Sequence, residues 1–167
     1  MPLLEKEEIL KCTCRANNTP HAMCAGALRL DEQGVKAELI PRDKEEAQLI
    51  VMDGCYCSTH GKKCDALFLL KGSRRNHLIV VELKSSHVQE GVEQLSLTRK
   101  RQEYRKLKEA FTQKFPRPAL REKAFLVSTQ VLGSRDRVKM TRDWGVSFKS
   151  LVVTKGSGKI KNLRLHF

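Results

Sequence analysis

The sequence predicts a mixed α/β domain, and three observations predict it. Two apolar runs, Asp65–Leu70 and His77–Lys84, flank a polar turn, a pattern typical of a β-hairpin. The stretch Val88–Phe115 is rich in strong helix formers and contains no proline. The short apolar run Ala124–Val127 has the length of a strand. We expect residues 1–167 to fold as a single domain, because this length allows a core that needs no disulfides.

The first 64 residues are cysteine-rich and are expected to contain only short elements. Asp43 can cap a helix that runs towards Met52, because its carboxylate can accept hydrogen bonds from N–H groups of the first turn. The other elements predicted here are a short helix at Leu3–Lys11, a loop at Cys12–Cys24, and a hairpin formed by Ala27–Leu30 and Val35–Ile40 around Gly34.

The second half of the chain predicts one long helix and a terminal hairpin. The apolar side chains of Val88–Phe115 fall on two faces, which implies a bend in the helix or burial on two sides. Near the C-terminus, Leu151–Thr154 and Ile160–Leu165 bracket the turn-forming residues Gly156-Ser157-Gly158. This pattern predicts a hairpin within residues 150–167.

The chain carries a large positive charge. Lys and Arg total 32 against 19 Asp and Glu, a formal net charge of +13. The excess is concentrated in Arg99–Arg142, and such clustering favours binding to nucleic-acid phosphates. The alternative is a charged surface that only keeps the protein soluble. The candidate nucleic-acid-binding residues are Arg99, Lys100, Arg101, Arg105 and Lys108.

Nothing in the sequence predicts a membrane span or a secretion signal. The longest apolar runs, such as Ala66–Leu70 and Leu78–Val81, are far shorter than the ~20 residues that a transmembrane helix needs. The N-terminal segment Met1–Glu8 is acidic and lacks an apolar stretch behind a basic start. We therefore expect a cytoplasmic protein with no membrane partner.

Two charged residues stand near the end of the second apolar run of the central hairpin. Glu82 and Lys84 are two positions apart and project from the same face of a strand. Asp65 begins the preceding run, so hairpin pairing can bring its carboxylate beside that of Glu82. Charged groups in such apolar surroundings are unfavourable unless something pairs with them.

A divalent cation would satisfy this group of charges. Two adjacent carboxylates repel each other, and Mg²⁺ is commonly held by one or two carboxylates together with waters and phosphate oxygens. Asp65 and Glu82 are therefore the candidate ligands of Mg²⁺ or Mn²⁺. Lys84 could position a nucleophile or stabilise negative charge that develops on a phosphate. The pattern predicts phosphodiester hydrolysis.

An Asp at the start of a strand, a hairpin, then Glu-x-Lys and a helix resemble the signature of the PD-(D/E)xK nuclease superfamily. Asp65, Glu82 and Lys84 match it, and Cys64 stands where the signature has proline. The resemblance covers about residues 43–127. It implies a restriction-endonuclease-like mixed central sheet flanked by helices, and Mg²⁺-dependent nuclease activity. It also implies a further catalytic Glu on a helix before the hairpin, for which Glu46 is the candidate and Glu45 the alternative.

These charged residues could also have no catalytic role. Glu82 and Lys84 could form a surface ion pair at a strand edge while Asp65 caps a turn. The fold could equally be that of a nuclease that has lost its activity.

All six cysteines precede Asp65 and lie in the two irregular segments. Cys55, Cys57, His60 and Cys64 offer four soft ligands within ten residues, which predicts a structural Zn²⁺ site in a cytosolic chain. Ordinary buried or free thiols are the main alternative, and disulfides or an iron–sulfur centre are others. Zinc here would fix the loop that leads into Asp65.

The sequence as a whole predicts a metal-dependent nuclease that acts on DNA in preference to RNA. One alternative is a non-catalytic, zinc-stabilised nucleic-acid-binding module. Another is a basic subunit of a larger assembly that contacts an acidic protein. A homodimer is a further option that the sequence leaves open.

Overall fold

The computed structural model describes residues 1–17, 19–130, 133–144 and 158–166. These residues form a mixed α/β structure with two four-stranded sheets. In chain order the elements are helix α1 (Glu7–Lys11), strands β1 (Cys24–Gly26), β2 (Arg29–Glu32), β3 (Val35–Glu38), β4 (Glu46–Val51), β5 (Ala66–Lys71) and β6 (Asn76–Lys84), helices α2 (Val88–Thr98) and α3 (Gln102–Lys114), strand β7 (Leu120–Ser128), helix α4 (Ser134–Trp144), strand β8 (Lys159–Ile160) and a 3₁₀ turn (Leu163–His166).

The central sheet has the strand order β4-β5-β6-β7. Its first three strands form an antiparallel meander, and β7 then pairs with β6 in parallel, from Asn76 opposite Leu120 to Lys84 opposite Ser128. A parallel pair needs a crossover connection, and α2 and α3 supply it. The second sheet, in the order β1-β2-β3-β8, ends in a short parallel pair of β3 with β8.

The central sheet is buried on both faces. One face packs against the helices through side chains such as Leu78 and Val80, which lie in one core cluster with Leu95 and Phe111. The other face packs against the second sheet through alternate side chains such as Ile79. Because both faces are covered, the strands are continuous apolar runs rather than alternating ones.

The helix predicted from Asp43 towards Met52 is wrong, because this segment forms β4. Glu46–Val51 pairs with β5 along its whole length, from Glu46 opposite Lys71 to Val51 opposite Ala66. Its last three residues are fully buried between the two layers, so the apolar pattern lacks the alternation that marks a half-buried strand. Sheet pairing outweighs the helix propensity of the Glu-Glu-Ala-Gln start.

Several other predicted elements are confirmed or corrected. Both hairpins are present, since β2 pairs with β3 and β5 pairs with β6 in antiparallel registers. The long helical stretch bends into two helices, the first ending at Thr98 and the second beginning at Gln102. The strand at Ala124–Val127 extends over Leu120–Ser128, and the N-terminal helix is shorter than Leu3–Lys11.

The predicted terminal hairpin is wrong in its second strand. Only Lys159–Ile160 is extended, it pairs in parallel with β3, and a 3₁₀ turn follows at Leu163–His166. Gly158 has a positive φ of 58°, and its carbonyl accepts a hydrogen bond from the N–H of Lys36, which guides this segment onto the second sheet. The predicted first strand, Leu151–Thr154, lies outside the described residues.

Two disulfides cross-link the N-terminal part, Cys12 with Cys55 and Cys14 with Cys24. The first ties the end of α1 to the loop between β4 and β5. Among the helices in the described part of the chain, none has both the length and the apolar character needed to cross a membrane.

Candidate active site

Asp65, Glu82 and Lys84 meet at one end of the central sheet. Asp65 immediately precedes β5, and Glu82 and Lys84 lie at the end of β6. Glu82 and Lys84 share the strand face of Leu78 and Val80, which is the face covered by the helices. The site therefore lies between the end of the sheet and α2.

Each of the two carboxylates accepts a hydrogen bond from a backbone N–H group at or next to the residue that carries the other carboxylate. The N–H of Asp65 donates to Glu82 Oε2 at 2.9 Å, and the N–H of Leu83 donates to Asp65 Oδ2 at 2.7 Å. The carbonyl of Asp65 accepts hydrogen bonds from the N–H groups of Met52 and Asp53. The two bonds to the carboxylates continue the pairing of β5 with β6 past its last residue pair and fix both carboxylates in place. The two bonds to the carbonyl of Asp65 join this residue to the segment that follows β4.

Lys84 connects this buried pair to solvent. Its Nζ lies 3.4 Å from Glu82 Oε1 and 4.0 Å from Glu90 Oε2. The side chain of Lys84 is 20% exposed, that of Glu82 only 1%, and Asp65 is 7% exposed. Lys84 is therefore the most exposed of the three candidate side chains, and the exposed carboxylate of Glu90 lies beside it.

Helix α2 approaches the site closely at Gly91. A Cβ at this position would lie 2.7 Å from Leu126 Cδ1, 3.0 Å from Lys84 Cγ and 3.5 Å from Glu82 Cγ. A side chain at this position would therefore require the side chain of Leu126, and to a lesser extent that of Lys84, to move. Thr98, at the end of α2, accepts a hydrogen bond from the N–H of Cys64 and so ties the start of β5 to the helix.

Burial raises the pKa of both carboxyl groups. It raises the pKa of Asp65 to about 7, against the hydrogen bond from Leu83 and the charge of Lys84, while the charges of Glu32 and Asp53 raise it further. Burial, followed by the negative charge of Asp65, raises the pKa of Glu82 well above its ordinary value, although Lys84 opposes this. Two carboxyl groups in such surroundings favour either a proton or a cation between them.

The sequence interpretation missed several residues that shape the site. Glu32, at the end of β2, and Asp53, in the loop after β4, both act on Asp65 through their charges. Gly91 permits the close approach of α2. These residues come from separate elements, so no local motif in the sequence marks them.

Neither candidate for the additional Glu is near the site. Glu46 lies opposite Lys71 in the pairing of β4 with β5 and forms a 2.6 Å ion pair with it. Glu45 forms a two-point ion pair with Arg164. Both positions lie towards the β5–β6 turn, at the other end of the sheet from Asp65.

The donor set fits a hard divalent cation with few protein ligands. Asp65 and Glu82 supply two carboxylates, which is the number that Mg²⁺ commonly takes from protein when phosphate and water complete its shell. In the described parts of the chain no group of three or more His, Cys, Asp or Glu residues is arranged to hold a metal.

No protein-family model matches this chain. Searches of curated proteins and of solved structures also give no match.

The structure does not bring the four candidate zinc ligands together. Cys55 is in the disulfide with Cys12, and His60 is exposed. Cys57 and Cys64 are free and buried. Burial, with the charge of Glu103, raises the pKa of Cys57 to about 11, and burial, with the charge of Glu82, raises the pKa of Cys64 well above its ordinary value. Both thiols are therefore protonated at neutral pH in the metal-free protein.

The candidate nucleic-acid-binding residues divide into two groups. Arg99 and Lys108 form ion pairs with Glu122, at 3.6 and 2.9 Å, and Arg101 pairs with Glu103 at 3.3 Å. Lys100 and Arg105 are exposed and form no salt bridge with any described carboxylate, and the same holds for the neighbouring Lys106. Three of the five predicted contacts are therefore already engaged within the fold.

Glu122 is the centre of the first group. Tyr104 donates a hydrogen bond to its Oε1 at 2.5 Å, and Lys108 donates to its Oε2. Burial works to raise the pKa of Glu122, but the hydrogen bonds from Tyr104 and Lys108 and the charge of Arg99 outweigh it, so the pKa is lowered. Arg99 and Lys108 therefore stabilise a half-buried carboxylate.

Proposed function

We propose that the protein is a divalent-metal-dependent nuclease that cleaves phosphodiester bonds of DNA, or of RNA with lower preference, at Asp65, Glu82 and Lys84. The observation that carries this proposal is the convergence of two buried carboxylates and one lysine at the end of the central sheet. The order of meander, helices and parallel strand agrees with the resemblance to PD-(D/E)xK nucleases. The strand in place of the preceding helix, and the second sheet, depart from what that resemblance implies.

In this mechanism Asp65 and Glu82 would hold the cation, and the backbone hydrogen bonds from Leu83 and Asp65 keep both side chains in place. A bound Mg²⁺ or Mn²⁺ supplies Lewis acidity and offsets the charge of the phosphodiester. Lys84 stabilises the negative charge that grows on the phosphate oxygens. The oxygen of water bonds to phosphorus, the ester bond to the leaving sugar oxygen breaks, and a proton passes from the water to that oxygen by way of solvent.

A non-catalytic nucleic-acid-binding module is the second candidate. It is favoured by the bonds that each carboxylate makes to the neighbouring backbone, because these would also give Asp65 and Glu82 a purely structural role at the end of the hairpin. In that case the +13 charge alone would be the basis of function.

Amide variants separate the two candidates. Asp65→Asn and Glu82→Gln keep an oxygen that can accept the backbone hydrogen bond but remove the negative charge. We expect each to lower Mg²⁺-dependent cleavage at least about 100-fold, because charge stabilisation at such sites contributes about 3 kcal/mol or more. Lys84→Ala should also lower cleavage while leaving the melting temperature nearly unchanged. The measurement is cleavage of labelled DNA and RNA with Mg²⁺, Mn²⁺ or chelator.

Glu46→Gln is the matched control, since it removes a carboxylate charge at the far end of the sheet. It should leave cleavage unchanged. Full Mg²⁺-dependent cleavage by purified Asp65→Asn or Glu82→Gln would reject this active site. Absence of metal-dependent cleavage by the wild-type protein, together with salt-sensitive binding, would favour the non-catalytic module.

A further inference from the structure

A second charged feature lies at the opposite end of the central sheet. A cavity of about 540 Å³ opens beside the β5–β6 turn and the start of β7. Its lining includes six cationic side chains, two acidic ones and the buried His77. The cationic residues are Arg42, Arg74, Arg75, Arg121, Lys123 and Arg164. We call this cavity the basic pocket.

Most of this positive charge is not neutralised within the fold. Of the two acids in the lining, Glu45 is taken by Arg164 in a two-point ion pair. The other five cationic side chains form no salt bridge with a carboxylate in residues 1–17, 19–130, 133–144 or 158–166. In this respect the basic pocket differs from α3, where Lys108 is paired with Glu122.

The charges of the pocket act on one another. Burial, followed by the charge of Arg121, lowers the pKa of Lys123. Burial, followed by the charges of Arg164 and Lys123, lowers the pKa of His77 to about 4. His77 is therefore neutral at pH 7, and the lining keeps a net charge of about +4 from six cations and two acids. An anion that entered would relieve this mutual repulsion.

The chemistry of the lining suits a phosphate group. Guanidinium groups make paired hydrogen bonds to phosphate oxygens, and five of the six cations are arginines. Four of these arginines, Arg42, Arg74, Arg75 and Arg121, are exposed, so a ligand can reach them. The turn that carries two of them is fixed by Gly72, where a Cβ would lie only 2.6 Å from the carbonyl oxygen of Arg75.

We propose that the basic pocket is a second phosphate-binding site, separate from the Asp65–Glu82–Lys84 site, and that it holds a phosphate group of a nucleic-acid strand. His77 and Lys84 belong to the same strand, and the seven residue-to-residue steps from one to the other span about 23 Å. His77 shares the strand face of Ile79, whereas Lys84 shares that of Val80, so the two sites also lie on opposite faces. A nucleic-acid strand that reached both sites would wrap around the edge of the domain. The inference rests on the proposed function only in taking nucleic acid as the ligand.

The test is binding of the full-length protein to a labelled single-stranded oligonucleotide of about 20 nucleotides, long enough to span ~23 Å, in the presence of chelator. The pocket variant is Arg74→Ala with Arg121→Ala. The control, Lys6→Ala with Arg15→Ala, removes the same charge from two exposed positions elsewhere. We expect the pocket variant to weaken binding at least about 10-fold and to reduce the slope of log K against log salt by about 1.4, or ~0.7 for each lost phosphate contact. The control should change both much less.

Equal losses in the two double variants would overturn the proposal, because the pocket would then act only through net charge. Arg74→Glu, in the exposed turn, gives the same test by charge reversal if the double variant fails to fold. Titration with ATP and with inorganic phosphate distinguishes the source of the phosphate. Tight ATP binding that depends on Arg74 and Arg121, with oligonucleotide binding unchanged in the variant, would overturn nucleic acid as the ligand.

The outcome can be separated from that of the proposed function. Glu82→Gln should bind the oligonucleotide in chelator like the wild type and should remain sensitive to Arg74→Glu. Binding that depends on the pocket in a protein that cleaves nothing would support this inference and reject the nuclease. Cleavage by the wild-type protein, together with oligonucleotide binding that does not depend on the basic pocket, would support the nuclease and reject this inference.

Discussion

In the proposed mechanism Asp65 and Glu82 would have two roles, one in the hairpin and one at a cation. The backbone bonds from Leu83 and Asp65 close the end of the hairpin. The negative charge of each carboxylate is unfavourable in a buried site, as the raised pKa of each carboxyl group indicates. A cation bound at this site would therefore stabilise the folded protein, and this proposal can be measured without any substrate.

We expect the contribution of Asp65 to the stability of the metal-free protein to fall as the pH rises. The pKa of Asp65 is about 7 in the folded protein and 3.8 for the ordinary group, so between about pH 4 and pH 7 the folded state keeps a proton that the unfolded state has lost. Rising pH in this window therefore lowers this contribution to the unfolding free energy, by up to about 1.4 kcal/mol per pH unit. The lowered pKa of His77 acts in the opposite direction between about pH 4 and pH 6.5, so the measurement is the difference in unfolding free energy between the wild type and Asp65→Asn against pH in chelator.

Mg²⁺ should raise the melting temperature more at about pH 8 than at about pH 5, because both carboxylates must be ionised to bind it. Asp65→Asn should remove most of the Mg²⁺ effect, and its stability should rise more steeply with pH between about pH 4 and pH 6.5 than that of the wild type, because the contribution of Asp65 then no longer opposes that of His77. Glu46→Gln serves again as the control, since Glu46 is exposed. A stabilisation by Mg²⁺ that is equal in wild type and Asp65→Asn would place the cation elsewhere.

At the scale of elements, local patterns predicted the hairpin that carries the site but not the residues that surround it. The runs around Asp65 and Glu82 are recognisable because turn residues separate them within 20 positions. Glu32 and Gly91 reach the site only through the packing of β2 and α2, which no local pattern specifies. The local pattern of β4 likewise predicts a helix, because the pairing with β5 that makes this segment a strand is not visible in the local sequence.

The basic helix α3 and the turn before it also show why charge in a sequence does not by itself identify a binding surface. Arg99, Arg101 and Lys108 counted equally with Lys100 and Arg105 as predicted phosphate contacts. In the structure the first three are paired with Glu122 or Glu103. Only the exposed cations remain available for a phosphate.

We therefore expect Arg105→Glu with Lys106→Glu to weaken nucleic-acid binding for all sequences, with a reduced salt slope and little change in stability. Lys108→Glu should instead lower the unfolding free energy, by about 1–3 kcal/mol, because it places a second negative charge beside the half-buried Glu122. Anisotropy and chemical denaturation measure the two effects. Equal loss of stability in both variants would contradict this division of the helix.

At the scale of the whole molecule, the central sheet separates two kinds of charge. The buried carboxylates lie at the end formed by the start of β5 and the end of β6, and the basic pocket lies at the other. The N-terminal segment is attached to the first of these ends by the disulfide Cys12–Cys55, which enters the loop that leads to Asp65. Formation of the disulfide Cys12–Cys55 therefore affects how rigidly the loop before Asp65 is held.

The cysteine state distinguishes the structure from the expectation of a cytoplasmic zinc protein. With Cys12–Cys55 and Cys14–Cys24 bonded, the unreduced protein in denaturant should titrate only the two thiols of Cys57 and Cys64. Disulfides persist mainly in oxidising compartments, whereas reducing conditions favour free thiols that could bind zinc. Six titratable thiols and about one zinc per chain would support the zinc site and reject both disulfides.

Reduction should destabilise the protein, mainly through the longer of the two loops. The bonded residues are 43 positions apart for Cys12–Cys55 and 10 for Cys14–Cys24. Constraint of the unfolded chain then contributes about 4 kcal/mol for the first disulfide and about 3 kcal/mol for the second. Cys12→Ser with Cys55→Ser should lower the unfolding free energy more than Cys14→Ser with Cys24→Ser, as measured by denaturation in guanidinium. An equal or smaller loss in the first variant would contradict this argument from loop length, and would mean that constraint of the unfolded chain is not the main contribution of the disulfide Cys12–Cys55.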